Sequence, residues 1–217
     1  MAKILIGTLY SGENEYEECL ESIRSQTFQD FDHLIIENLP EREAHNKLYQ
    51  SFLEHADTYQ LLIKVDADMV LCSPGFFEEV LKHMDDNPNI DVYTVAVYDY
   101  ISGQLINGLN TYRNTVRWDF EKNTIFVDIS ETSEENSYFD QTELAPAAIH
   151  CKNPSNLQAF RYGVHRGLKS IQQIHSTTHW AFIGKSWQNF LKLKDPRIGL
   201  AVLGAELVYA GVFGKAD

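Results

Sequence analysis

Asp66 and Asp68 stand two residues apart where an apolar run, Leu61-Leu62-Ile63-Lys64-Val65, comes to an end. Carboxylates so spaced can face one ligand when the chain bends out of a strand, and in open α/β sheets ligands bind beyond the carboxyl ends of the strands. Their oxygens suit a hard divalent cation, Mg2+ or Mn2+. Such an ion neutralises a diphosphate and lets a nucleoside diphosphate leave. The plainer alternative is that both residues only cap the turn that follows, because Asp-x-Asp is a common tripeptide.

A second group lies far away in sequence. The chain carries 18 Lys and Arg against 31 Asp and Glu, a net charge of −13. That balance argues against a general nucleic-acid binder, since phosphates would be repelled. The charge is unevenly spread. Residues 144–194 contain no Asp or Glu but seven Lys or Arg and four His. Within them Arg161, His165 and Lys169 fall at i, i+4 and i+8, with Arg166 adjacent. Such a row binds a diphosphate or an anionic acceptor, and Arg does so bidentately; the alternative is a solvated helix face. Asn153-Pro154-Ser155 offers a helix start whose N–H groups suit an anion. Gly163 and Gly167 cost about 1 kcal/mol each relative to Ala inside a helix, which close approach of another helix or of a ligand would offset.

These groups need a scaffold, and the pattern supplies one. Lys3 to Thr8, His33 to Glu37 and Tyr59 to Val65 read as strands. Between them, Tyr16, Cys19, Leu20 and Ile23 keep helical spacing, and Pro40 opens a helix with Ala44, Leu48 and Phe52 on one face. Ser73-Pro74 precedes a third helix carrying Phe77, Val80, Leu81 and Met84. This βαβαβα order predicts a parallel sheet with helices on both faces. Residues 91–100, 104–113 and 123–129 read as antiparallel or mixed strands joined by turns, 130–137 as a polar loop, and 145–150 as a short strand. Then come helices: one from Asn153 with Leu157, Phe160, Val164, Leu168 and Ile171 as its apolar face, and two more near 178–193 and 198–213. At 217 residues a single domain is expected, with residues 1–100, 101–152 and 153–217 as its successive parts.

Composition narrows the setting. No run of 18 apolar residues exists, so no transmembrane helix is expected. Cys19, Cys72 and Cys151 are scattered and odd in number, and the N-terminus lacks the pattern of a signal peptide, so reduced thiols in a cytoplasmic protein are expected. The helical tail could pack internally, form a homodimer or touch a membrane peripherally. Tyr10, Tyr98, Tyr112, Trp118 and Trp180 could stack on a sugar or base, against ordinary packing as the alternative.

The first hundred residues resemble the GT-A glycosyltransferase fold, and most of all family 2 glycosyltransferases. Ile4-Leu5-Ile6-Gly7-Thr8 resembles that family's first strand, Cys19-Leu20-Glu21-Ser22-Ile23-Arg24-Ser25-Gln26-Thr27-Phe28 its first helix, and Val65-Asp66-Ala67-Asp68 its metal-binding strand end. The resemblance implies an α/β GT-A domain, a mixed Rossmann-like sheet flanked by helices with a helical C-terminal region. It implies an inverting, Mn2+- or Mg2+-dependent transfer from a UDP- or GDP-sugar to an acceptor hydroxyl. Thr8, Tyr10 and Glu37 would face the nucleoside, Glu37 standing where the family has an Asp. Asp66 and Asp68 would hold the metal with His150 as third ligand, Asp66 also meeting the nucleotide-sugar. Asp140 or Glu143 would be the base that deprotonates the acceptor. The family's C-terminal acidic motif is not recognisable. Two other readings stay open. A sugar nucleotidyltransferase should show a Gly-rich phosphate loop after the first strand, which Thr8-Leu9-Tyr10-Ser11-Gly12 lacks. A glycosyltransferase-like binding domain without activity should bind nucleotide and metal without turnover.

Overall fold

The computed structural model describes residues 3–121, 130–172 and 176–213. Three strands open the chain: β1 (Lys3–Tyr10), β2 (Phe31–Glu37) and β3 (Tyr59–Lys64). β1 lies between the other two and parallel to both. The connections are α1 (Tyr16–Arg24) and α2 (Glu41–Glu54). Alternation along β1 explains the two-sided cover. Ile4 and Ile6 point to a core shared with Cys19 and Ile23 of α1, whereas Leu5 points to one shared with Leu48, Tyr49 and Phe52 of α2.

After β3 the sheet changes direction. A three-residue strand, β4 (Met69–Leu71), precedes α3 (Phe76–Asp86). β5 (Val92–Asp99) and β6 (Gln104–Arg113) form an antiparallel hairpin, and β6 pairs antiparallel with β3. Its turn uses Gly103 at φ 68°, where a side chain would be strained. β7 (Ser137–Asp140) and β8 (Ala148–His150) both run parallel to β5, and β8 pairs antiparallel with β4. The eight-stranded mixed sheet has the order β2-β1-β3-β6-β5-β8-β4, with β7 on β5. A helical region completes the α/β architecture: α4 (Asn156–Ile171), α5 (Ser176–Leu193) and α6 (Pro196–Tyr209).

Two expectations change here, and a third falls on residues that are not described. The strand expected at 123–129 lies outside the described residues. The polar segment 130–137 is not all loop, since Glu134–Asn136 forms a 3-10 turn and Ser137 begins β7. The apolar face expected on α4 is only partly covered: Phe160, Val164 and Leu168 are half-buried, but Leu157 is 58% and Ile171 46% exposed. The buried face is Ala159, Gly163, Gly167 and Ser170, which lies against α6. A Cβ on Gly163 would fall 1.7 Å from the Ala201 carbonyl oxygen, and one on Gly204 would fall 2.4 Å from that of Phe160. Small residues let the two backbones touch, and contact at that range excludes the larger side chains, which turn outward. No helix is long and apolar enough to cross a membrane among the described residues.

Candidate functional site

The register of two short strand pairs builds the site. β4 and β8 pair so that Met69 opposes His150. One step outward, the Cys151 N–H donates to the Asp68 carbonyl oxygen at 2.9 Å. β8 also runs beside β5, with His150 opposite Asp99. His150 therefore stands between two carboxylates, with Nε2 3.1 Å from Asp68 Oδ2 and Nδ1 2.8 Å from Asp99 Oδ1. Asp99 is fully buried, and its other oxygen accepts from the Tyr162 hydroxyl and from the Ser102 N–H, each at 2.8 Å.

Burial works against every charge in this group, and the charges compensate one another. Burial would lift the Asp68 carboxyl, but the His150 imidazolium and hydrogen bonds from His150 and Cys151 leave it below its usual range. Burial likewise opposes ionised Asp99, but the hydrogen bond and charge of His150, with the Arg166 charge, together hold its carboxyl below the usual range. Burial opposes the charged His150 ring, but Asp68 above all holds it well above its usual value. Burial pushes the Cys151 thiol up. Cys151 also sits at φ 51°, a left-handed conformation costing a non-glycine residue about 1–3 kcal/mol. Its Sγ lies 3.5 Å from Asp68 Oδ2 and 3.7 Å from His150 Nε2. Two residues before Asp68, Asp66 Oδ2 is held by the buried Lys64 ammonium. Asp66 Oδ1 is buried and accepts no hydrogen bond. A buried carboxylate oxygen without a donor is costly unless a cation meets it, so the residues present fit a divalent ion.

The carboxylates open onto a cavity of about 630 Å3 between the strand ends and α4. Its opposite wall carries Arg161, His165, Arg166 and Lys169. Arg166 is sandwiched between the rings of Tyr162 and Phe182, 5.2 and 5.1 Å from their centroids, and lies 3.3 Å from His179 Nδ1. His165 Nδ1 lies 3.5 Å from Glu41 Oε2. The start of α4 is tied to the loop before α1: buried Glu15 accepts from the Asn153 N–H at 2.7 Å and from Gln158 Nε2 at 2.8 Å. The anion site expected at Asn153-Pro154-Ser155 is thus corrected. Ser155 and Gln158 form a capping box that uses the Ser155 and Gln158 N–H groups, and the Glu15 carboxylate, which accepts from the Asn153 N–H, stands beside them.

Of the residues singled out in the sequence, the structure brings Tyr10, Asp66, Asp68, His150, Arg161, His165, Arg166 and Lys169 to this one cavity. The four others given a nucleoside-binding or catalytic role lie off its lining, as do Tyr98, Tyr112, Trp118 and Trp180. Thr8 is buried, with its hydroxyl 2.9 Å from His33 Nε2. Glu37 is exposed at the end of β2, 3.5 Å from the Tyr16 hydroxyl. Asp140 is buried, accepting from the Tyr93 hydroxyl at 3.1 Å and from the N–H groups of Thr142 and Glu143 at 2.7 and 3.0 Å. It closes the turn after β7, and Glu143 is exposed beyond it. Trp118 is buried and stacks on Tyr49 at 4.2 Å, and Trp180, which is half exposed, stacks on Tyr209 at 4.3 Å, outside the cavity lining. Asp99, Cys151, Tyr162 and Lys64 are the site residues that sequence reading passed over. Asp99 carried one signal, an acid ending a Val- and Tyr-rich strand, but its partner depends on strand register.

Among solved structures, this chain is similar to A197 from STIV, at 18% identity over 45% of this chain and 47% of that one, with a TM-score of 0.35. It is similar to S. aureus TarS, at 10% identity over 89% of this chain and 44% of that one, with a TM-score of 0.46. A glycosyltransferase involved in the glycosylation of the major capsid of PBCV-1 matches at 13% identity over 50% of this chain and 60% of that one, with a TM-score of 0.34. The chain spans less than half the length of the first two. No family model and no curated protein matches the sequence.

Proposed function

We propose that this chain is a glycosyltransferase that takes a nucleoside-diphosphate sugar, UDP- or GDP-linked, into the cavity beneath α4 and passes the sugar to an acceptor hydroxyl. One observation carries the reading: a single cavity of about 630 Å3 sets Asp66, Asp68 and His150 against a wall bearing Arg161, His165, Arg166 and Lys169. Carboxylates alone would repel a diphosphate; carboxylates that hold a divalent cation, facing a cationic wall, attract it. The volume lies within the range of about 300–1,000 Å3 usual for small-molecule sites.

In this reading Asp66, Asp68 and His150 hold the cation, which when bound neutralises the diphosphate leaving group. Asp99 orients the His150 ring. Arg161 and Lys169 meet phosphate oxygens, and Arg166, fixed between two rings, adds a positive field at the same end. Tyr10, stacked on Tyr16 at 3.9 Å, offers a ring face to the nucleobase. His165, with Glu41 beside it, lines the cavity and takes the role of accepting the acceptor proton in this reading, in place of Asp140 and Glu143.

Calorimetry with UDP and GDP, with and without Mn2+, on the wild type and Asp68→Ala tests the reading. Metal-dependent binding that disappears in the variant supports it. If UDP, GDP, CDP, TDP and CMP all fail to bind under every metal condition, the reading is wrong. Turnover on a donor and acceptor panel then separates a transferase from a domain that only binds.

A further inference from the structure

We propose that Cys151 is a metal ligand, and that Asp68, His150 and Cys151 together form a three-ligand site for a borderline divalent cation, Zn2+ above all, with a fourth position open to the cavity. Asp68 Oδ2, His150 Nε2 and Cys151 Sγ form a triangle with sides of 3.1, 3.5 and 3.7 Å. A carboxylate oxygen, an imidazole nitrogen and a thiolate bound to one tetrahedral ion at about 2.0–2.3 Å would stand roughly 3.3–3.6 Å apart. The donors thus already lie near the corners of one face of a zinc tetrahedron.

The backbone, not chance contact of side chains, sets this arrangement. The β4–β8 register puts Asp68 and Cys151 at facing ends of one ladder, joined by the 2.9 Å bond from the Cys151 N–H to the Asp68 carbonyl. Cys151 holds a left-handed φ of 51° there, and strained non-glycine residues concentrate at functional sites. The nitrogen of His150 that faces away from the triangle donates to Asp99, which is itself held by Tyr162 and Ser102. That chain of carboxylate, histidine and metal is how ligating imidazoles are fixed in tautomer and orientation.

The thiol decides which ion is held. Carboxylate and water suit Mg2+ and Mn2+, whereas thiolate with imidazole selects zinc. On binding, the Cys151 S–H bond and the His150 Nε2–H bond break, Zn–S and Zn–N bonds form, and both protons pass to solvent. Three protein ligands with an open position match zinc sites that work on a substrate rather than closed structural ones. The inference gives Asp68 and His150 the Cys151 thiol as third partner in place of the Asp66 of the proposed function, which makes the set one for Zn2+ and not Mn2+, and it rests on that reading only for what enters the fourth position.

The test uses metal-stripped full-length chain without nucleotide. Zn2+ is titrated against a chromophoric chelator, and Co2+ is titrated in the ultraviolet and visible. Wild type should bind a single Zn2+ per chain and, with Co2+, show a thiolate-to-cobalt charge-transfer band. Cys151→Ser should lose that band and weaken Zn2+ binding by about a hundredfold while leaving Mn2+ affinity unchanged; Cys19→Ser and Cys72→Ser should keep the band. Unchanged Zn2+ affinity in Cys151→Ser, or no thiolate band in the wild type, overturns the proposal. X-ray absorption on the zinc-loaded wild type needs no variant: a sulfur scatterer at about 2.3 Å supports the site, and a shell of only nitrogen and oxygen overturns it. Failure of nucleotide binding with the zinc result intact would count against the transferase reading alone. Mn2+-dependent nucleotide binding without zinc binding would count against this inference alone.

Discussion

Asp99 Oδ1 accepts from His150 Nδ1 at 2.8 Å inside the sheet, where Asp99 is out of reach of solvent, and this bond leaves Nε2 as the ring atom that faces Asp68. Loss of the acceptor charge frees the ring to turn and weakens the hold on Tyr162. Asp99→Asn should therefore weaken divalent-cation binding by about 10–100-fold, the usual effect of removing such a partner. Calorimetric titration of the metal-stripped protein checks this, with circular dichroism to confirm that the variant folds.

The cationic wall should show itself through salt. Arg161→Ala and Lys169→Ala should each weaken UDP or GDP binding about tenfold, near the lower end for one charge-assisted hydrogen bond. Both losses should shrink at high ionic strength, because these side chains face an open cavity. Titration at two salt concentrations measures the effect.

Asp140 is expected to matter for stability and not for binding. Asp140→Ala leaves the Tyr93 hydroxyl and two N–H groups without their acceptor, at a cost of about 1–3 kcal/mol. Urea denaturation should register that loss while nucleotide affinity stays within twofold or so. A collapse of affinity in a folded Asp140→Ala protein would show that the residue reaches the ligand after all.

The contact between α4 and α6 gives a sharper contrast. Gly163→Ala drives a methyl group onto the Ala201 carbonyl oxygen and should cost about 3 kcal/mol, at the upper end for overpacking. Gly184→Ala, in α5, meets nothing within 4 Å and should stabilise by roughly 0.5–1 kcal/mol. Thermal melts of the two variants should move in opposite directions.

His33 supplies a pH dependence remote from the site. Burial, with help from Arg24, pushes its ring down to about 4, against about 6.5 in an unfolded chain. Between those values the unfolded state carries the extra proton. Stability is therefore complete above about pH 6.5 and is lost as pH falls towards 4, with a slope of at most about 1.4 kcal/mol per pH unit. Denaturation across this range should show a shallower acid limb for His33→Gln than for the wild type.

How much of this the chain announces depends on the range of the interaction. Asp66 and Asp68 follow an apolar strand directly, and Arg161, His165 and Lys169 repeat at a helix period, so local pattern alone marks both walls of the cavity. Asp99 and Cys151 acquire their meaning only from pairing between β4, β5 and β8, segments that lie 50 to 80 or so residues apart in the chain. Asp140 misleads for the same reason: an acid before a short strand looks catalytic until the turn it closes is seen. On α4 hydrophobicity is a poor guide to burial, since Phe160, Val164 and Leu168 are only half-buried while Gly163 and Gly167 are buried. Between two helices in backbone contact, volume is the guide instead, and glycine is the residue that fits.

Among the described residues β4 has a single neighbour in the sheet, β8, and that neighbour is made some eighty residues later. While the chain emerges during synthesis, Met69–Leu71 is an unpaired edge, open to whatever strand arrives first. A product ending before residue 148 would carry both carboxylates of the acidic motif but neither the imidazole nor the thiol, and its edge would stay bare. Completion of the ligand set and closure of that edge are thus one event, so a chain that can hold the ion by all three donors is one that has finished folding there.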